Sequence, residues 1–180
     1  MDPLTYSLCH KPVIGLFMFA ASACAFPPLV QELPFALQQA GALASREFEA
    51  PVGKPYSLDL HFRFPSAAAS LADEVVGSRH DESCGRAYQT ISLAQRSGLG
   101  RPIPIHVLVR EQETGAVALD KVFDTLCITS HGGPGFRKTR TAARFELARG
   151  KYILEVRSLE SQSGLDGVQT SVSLVSGDRK

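Results

Sequence analysis

A glycine-rich segment with a histidine at its start is the first place in this sequence where chemistry could occur. The residues at 131–135 are His-Gly-Gly-Pro-Gly, and in α/β-hydrolases a loop of this kind lets backbone amides face a developing oxyanion. That chemistry also needs a G-x-S-x-G nucleophile elbow, which this sequence lacks, and a parallel sheet. We interpret the segment as a turn between strands and keep a small hydrolase built around His131 as the alternative function.

A second group contains side chains that commonly bind metals, namely His80, Asp81, Glu82 and Cys84. The spacing argues against a metal site, because no CxxC, HxH or HExxH motif is present and adjacent residues of an extended chain point in opposite directions. No Cys/His or Ser/His/Asp set can be singled out either. The sequence therefore predicts a protein without metal, without cofactor and without enzymatic activity.

Four basic residues follow the glycines with no acidic residue until Glu146: Arg137, Lys138, Arg140 and Arg144. We predict that they form an exposed basic loop that could bind an acidic partner, although such runs usually form solvated surface. The whole chain has 19 basic and 18 acidic residues and a net charge of +1. This balance gives no reason to expect nucleic acid as a partner.

The N-terminus has the organisation of an export signal. Residues 1–11 end in a lysine, 12–19 are apolar and 20–25 are mostly small, which matches the three regions of a signal peptide. The apolar run is too short for a permanent membrane helix, which needs about 20 residues. We expect an exported protein with a signal peptide at 1–25.

Two processing routes remain open at the end of this signal. Ala23-Cys24-Ala25 is a small-x-small site that would release a mature chain beginning at Phe26. The residues at 21–24, Ala-Ser-Ala-Cys, instead resemble a bacterial lipobox, although Ala21 stands where leucine is preferred. We favour lipidation of Cys24, which predicts an outer-membrane-anchored lipoprotein. A soluble periplasmic or secreted protein is the alternative.

Either route leaves the same two cysteines in the mature domain, Cys84 and Cys127. Thiols oxidise in extracytoplasmic compartments. Once Cys24 is removed or acylated, these two cysteines have no other mates, and we predict a disulfide between them.

Alternating apolar and polar residues predict seven short strands. The clearest lies at 56–64, where Tyr56, Leu58 and Leu60 alternate with Ser57 and Asp59. The others are expected at 103–109, 117–123, 126–130, 144–148, 152–156 and 168–174. One short helix is expected at 67–76, capped by Ser70 with Asp73, and 83–95 fits either helix or strand. Without regular helices between the strands, the pattern predicts a mainly β, antiparallel, immunoglobulin-like β-sandwich with one or two short helices.

Two short segments carry a resemblance to known proteins. The residues at 150–152, Gly-Lys-Tyr, place Tyr152 at a strand start, where we expect its hydroxyl to bond nearby backbone. Together with Phe-Glu-Ala-Pro-Val at 48–52, they resemble a group of predicted proteobacterial lipoproteins that share a domain of unknown function. The resemblance covers most of the mature chain. It implies an envelope β-sandwich and supplies no catalytic residues.

We divide the chain into a signal peptide at 1–25, a tether at 26–47 and a β-sandwich domain at 48–180. The tether assignment rests on Pro27, Pro28 and Pro34, which remove amide donors and favour extended backbone. The leading hypothesis is a non-catalytic envelope module that binds a protein, peptide or glycan through loops, a class that includes immunity or inhibitor proteins. Its membrane contact would be only through the lipid on Cys24.

Overall fold

The structure is a computed structural model that describes residues 28–80, 88–132 and 136–177. Its strands are β1 Val30–Pro34, β2 Leu43–Ala50, β3 Lys54–Arg63, β4 Ile103–Glu111, β5 Val117–Thr125, β6 Ser130–His131, β7 Arg137–Leu147, β8 Gly150–Ser158 and β9 Gln169–Ser176. They form two antiparallel sheets, with strand orders β1-β9-β3-β7-β6 and β2-β8-β4-β5. The remaining elements are helix α1, Ala67–Ala72, and two single 3-10 turns, Tyr88–Thr90 and Leu93–Gln95. The predicted mainly β, two-sheet architecture is confirmed.

The core lies between the two sheets, where several strands, β3, β4 and β8 above all, carry apolar residues at every second position. On β3 the inward side chains are those of the predicted alternation, and Leu58, Leu60 and Phe62 have no exposed surface. On β4 the corresponding side chains, Ile105 and Val107 among them, are equally buried. β3 is the central strand of its sheet, pairing with β9 on one side and β7 on the other.

The prediction of a tether at 26–47 is wrong for its described part, 28–47. β1 pairs with β9 and β2 pairs with β8, while Phe35 and Leu37 between them are buried in the core. The prolines do not prevent this, because Pro34 ends β1 at the edge of the sheet. On β2 the inward positions include the small side chains of Ala44 and Ala50, so its alternation is weak in the sequence.

The structure differs from several local predictions, for the helix and its cap and for the bounds of two strands. Helix α1 ends four residues earlier than expected, and its N-cap is Ser66, whose hydroxyl accepts from the Ala69 amide at 3.1 Å. The expected capping box is wrong, because Asp73 follows the helix and its carboxylate accepts from the amides of residues 75–77. The strand expected at 126–130 is reduced to β6, whereas the one expected at 144–148 begins earlier, at Arg137. In the ambiguous segment, residues 88–90 and 93–95 form 3-10 turns and 83–87 lie outside the described residues.

The predicted tyrosine corner is confirmed. The Tyr152 hydroxyl donates to the Ala148 carbonyl at 3.1 Å. Tyr56 makes the same bond to Val52, four residues back, at 2.8 Å. Each tyrosine therefore fixes the turn that leads into its own strand, β8 or β3.

Arg140 is the largest fully buried side chain in the described residues. Its guanidinium donates to four backbone carbonyls at 2.7 to 3.3 Å, those of Val75, Val76, Arg101 and Thr125. Burial lowers the pKa of Arg140 to about 10, partly offset by the charge of Asp73. Since this pKa is still well above 7, the side chain remains charged at neutral pH.

A buried ion pair lies beside this arginine. Lys138 Nζ donates to the Asp73 carboxylate at 2.8 Å, with side-chain exposures of 5% and 2%, and Nζ also lies 5.0 Å from the centre of the Phe64 ring. We call Arg140, Lys138 and Asp73 the Arg140 network. The loop above it packs so closely that a Cβ on Gly100 would lie 2.5 Å from the Val75 carbonyl oxygen.

We predict that Arg140→Met lowers the free energy of unfolding by about 3 kcal/mol or more, because four buried carbonyls would lose their donor. Urea denaturation of the purified protein measures this. The matched control is Arg144→Met, since Arg144 is exposed on the same strand, and its effect should stay within about 0.5 kcal/mol. Equal stability of the two variants would show that the network does not hold the loops.

Candidate functional site

The four basic residues predicted as a loop lie on strand β7 instead. Lys138 and Arg140 point inward and are buried in the Arg140 network, Arg137 is half-buried and Arg144 is exposed. The prediction of one exposed basic loop is therefore wrong, because neighbouring side chains of a strand face opposite sides of the sheet. Partner binding stays a prediction for the two residues that reach the surface.

The other predicted sites fall at or beyond the edges of the described residues. His131 is exposed on β6, followed by Gly132 with a φ of +109°, and it lines neither of the two cavities described below. Within the described ranges no three metal-binding side chains cluster. The signal peptide and Cys24, together with Asp81, Glu82 and Cys84 of the rejected metal group, lie outside the described residues. No helix in the described ranges is long and apolar enough to cross a bilayer.

A cleft of about 420 Å³ opens beside the ends of four strands of the first sheet. We call it the Arg137 cleft. Strand register places its side chains, because Arg63 of β3 pairs with Arg137 of β7 and with Gln169 of β9. Two residues earlier on the same face, His61 pairs with Ser171 of β9. β1 and the segment after it contribute Glu32, Pro34, Phe35, Ala36 and Gln38, and Val168 and Thr170 also line the cleft.

Glu32 lines this cleft and has an unusual backbone conformation. Its φ is +40°, at a break in the β1 to β9 register between Val30 and Leu33, and its amide donates to the Ser173 hydroxyl at 2.9 Å. A non-glycine residue with positive φ costs on the order of 1 to 3 kcal/mol, and such residues cluster at functional sites. The bulge directs the Glu32 side chain into the cleft.

The Glu32 carboxylate bridges two arginines. Arg137 Nη1 donates to Oε1 at 2.6 Å, and Arg63 Nη2 donates to Oε2 at 3.4 Å. The second Nη of Arg137 lies 3.0 Å from His61 Nδ1, which in turn lies 3.1 Å from the Thr139 hydroxyl. Two guanidinium groups facing one carboxylate leave an excess of one positive charge.

This cluster is accessible to solvent, unlike the Arg140 network. The side chains of Arg63, Arg137 and Glu32 are 48%, 32% and 38% exposed. Phe35, 2% exposed, forms an apolar base, and Gln169 is exposed at the rim. Guanidinium groups bind carboxylates and phosphates through paired hydrogen bonds, so the arrangement can hold an anion.

The sequence did not reveal this site. The sequence marks Arg137 by its charge and places His61 and Arg63 on the outer face of their strand, but it contains no signal that groups the three residues. Glu32 was placed in the tether, and its approach to the arginines depends on pairing with a strand about 140 residues away. Alternation on β3 was the one available signal, since it placed two polar side chains on the face that forms the cleft.

A second cavity, of about 980 Å³, lies over the loops near Asp73 and Gly98. Two arginines line it, Arg96 and Arg101, and both contact residues of neighbouring loops. Arg96 stacks on Tyr88, 4.6 Å from the ring centre, and donates to the Ile91 carbonyl at 2.8 Å. Arg101 donates to the Ser163 carbonyl at 2.6 Å. Both arginines therefore hold loops of the fold together, and we do not interpret this cavity as a ligand site.

The fold and the cleft define a two-sheet antiparallel β protein with an arginine-lined cleft on one sheet. The chain belongs to the family described as "Domain of unknown function (DUF5625)", whose model matches residues 32–176. None of the curated proteins matches this sequence.

Three solved structures align with this chain to different extents. A protein from Sulfurospirillum deleyianum, GEBA250068378, aligns with a TM-score of 0.61 and 18% identity over 84% of this chain and 99% of its own. A family 35 carbohydrate-binding module from Clostridium thermocellum aligns with a TM-score of 0.38 and 12% identity, over 77% of this chain and 72% of its own. Xyl-CBM35, solved with a disaccharide containing glucuronic acid, aligns with a TM-score of 0.36 and 10% identity, over 79% of this chain and 76% of its own. The first similarity shows a shared fold, and the other two are too low to support an inference about ligands.

We predict that Cys127 pairs with Cys84. Cys127 is 1% exposed, and the described ranges contain no free cysteine. Closing this loop should stabilise the fold by about 4 kcal/mol in the chain-entropy model, so reduction should lower the melting temperature markedly. Thiol titration of the denatured, unreduced protein provides a second measurement. Two reactive thiols, one at each position, would disprove the pairing.

Proposed function

We propose that this protein is a non-catalytic binding module of the bacterial cell envelope and that it holds an anionic group of its ligand in the Arg137 cleft. The observation that carries the proposal is the pair of arginines, Arg63 and Arg137, that converge on one point of an open cleft. Both belong to strands of the same sheet, so their spacing is fixed by backbone register rather than by a flexible loop.

The dimensions of the cleft support a small ligand or the end of a larger one. Its volume of about 420 Å³ lies within the range of roughly 300 to 1,000 Å³ that is usual for ligand pockets. Its lining combines charge, amide and hydroxyl groups with an apolar base at Phe35. The alternative, a hydrolase at His131, has less support because that histidine lines neither cavity.

We predict that Arg137→Gln weakens binding of an anionic ligand by about tenfold or more, the effect expected from losing a charge-assisted hydrogen bond. An array of neutral, carboxylated, sulfated and phosphorylated glycans, together with acidic peptides, would identify ligands, and titration would give the affinities. The matched control is Arg157→Gln, an exposed arginine on β8 of the other sheet.

The control variant should bind like wild type, and melting temperatures should confirm that both variants fold. If Arg137→Gln binds all acidic ligands as well as the control does, or if only neutral ligands bind, the cleft is not the anion site.

Export and lipidation at Cys24 form the second part of the proposal. Small residues at 20–23 followed by Cys24 support it. Expression in a Gram-negative bacterium should yield a membrane-associated protein whose intact mass corresponds to a chain that begins at a lipid-modified Cys24. Cys24→Ser should move the protein to the soluble periplasmic fraction. A wild-type mature chain that begins at Phe26 without lipid mass would refute the anchor while leaving export intact.

A further inference from the structure

We infer that the ligand group of the Arg137 cleft is a carboxylate and that the carboxylate of Glu32 occupies its place in the free protein. The inference rests on the proposed function, and it names both the ligand chemistry and the residue that competes with the ligand. It predicts that Glu32 opposes binding although it lies in the site.

The contacts of Glu32 are those that a carboxylate ligand would make. Each oxygen accepts from a different arginine, Oε1 from Arg137 and Oε2 from Arg63. The two guanidinium groups are therefore already spaced for one planar group with two oxygens. An entering carboxylate can take over these hydrogen bonds without rearranging β3 or β7.

Displacing Glu32 requires little change in the rest of the molecule. β1 is an edge strand that pairs with β9, and its register breaks next to Glu32. The ion pairs are partly exposed, and pairs of this kind contribute little to stability.

The buried pair of Lys138 and Asp73 provides a comparison within the same molecule. Both of its side chains are at most 5% exposed, and the carboxylate also accepts from the amides of residues 75–77. A ligand cannot replace that carboxylate without opening the core. The exposure and the strained backbone of Glu32 therefore distinguish an exchangeable carboxylate from a structural one.

Shape, rather than charge, favours a carboxylate. The group that bridges the two arginines in the free protein is itself a planar carboxylate, whose two oxygens accept from Arg137 and Arg63. A carboxylate ligand reproduces that planar arrangement and a tetrahedral phosphate does not. Inorganic phosphate is therefore the comparison that tests the selectivity of the cleft.

The test compares wild type with Glu32→Gln, which keeps the side-chain shape but removes the charge. The probes are glucuronate and acetyl-alanyl-alanine, two sources of a carboxylate, with glucose and inorganic phosphate for comparison. Glu47→Gln, an exposed carboxylate on β2 of the other sheet, is the matched control. Affinities are measured by titration at low salt, because screening weakens exposed ion pairs.

We expect Glu32→Gln to bind at least one carboxylate probe roughly three- to tenfold more tightly than wild type, as release of exposed ion pairs implies. The probe that gains affinity identifies the source of the carboxylate. Glu32→Asp should also bind the carboxylate more tightly than wild type, because its shorter side chain cannot reach both arginines equally well. It replaces the glutamine variant in the test if that variant does not fold. Glu47→Gln should match wild type.

Unchanged or weaker binding in the Glu32 variants, or no binding of either carboxylate by any variant, would overturn the inference. The proposed function would still stand if other anionic ligands bind wild type and lose affinity in Arg137→Gln. Both would fail if no anion binds at the cleft.

Discussion

The fold depends on a charge held in the core by backbone carbonyls. Within the part of the chain that the structure describes, no carboxylate contacts the guanidinium of Arg140. Its charge is balanced by four carbonyl dipoles from three separate segments, with Asp73 nearby. A buried charge is tolerated only where such groups replace its water. The loop at 75–77, the approach to β4 and the end of β5 must therefore meet at one point on β7. Close packing at Gly77 and Gly100, both with positive φ, allows that meeting.

This constraint also positions the surface site. Because Arg140 and Lys138 anchor the inward face of β7, Arg137 at its start is directed outward, beside Arg63 of β3. One run of basic residues is thereby divided between two roles. The inward cations, Lys138 and Arg140, hold loops against the sheet, and Arg137 faces the cleft. Sheet register then supplies the polar neighbours from β9, and the bulge in β1 supplies Glu32.

The parts of the structure that could be predicted from sequence are those determined locally. Strict alternation identified β3, β4 and β8, and a glycine turn before Tyr152 identified its corner. β1 and β2 were missed, because prolines and small inward residues concealed a pattern that only pairing with β9 and β8 makes evident. The burial of Arg140 depends on carbonyls 15 to 65 residues away, which composition does not report. The cleft was missed for the same reason, since Glu32 and Arg137 are separated by 105 residues.

A crystal structure of the protein with the carboxylate probe that binds more tightly, glucuronate or acetyl-alanyl-alanine, tests the central claim most directly. The account predicts that the carboxylate of the probe lies within hydrogen-bond distance of Arg137 and Arg63, with the Glu32 side chain turned out of the cleft and the Arg140 network unchanged. A probe bound elsewhere, or bound in the cleft while Glu32 still bridges both arginines, would contradict the account.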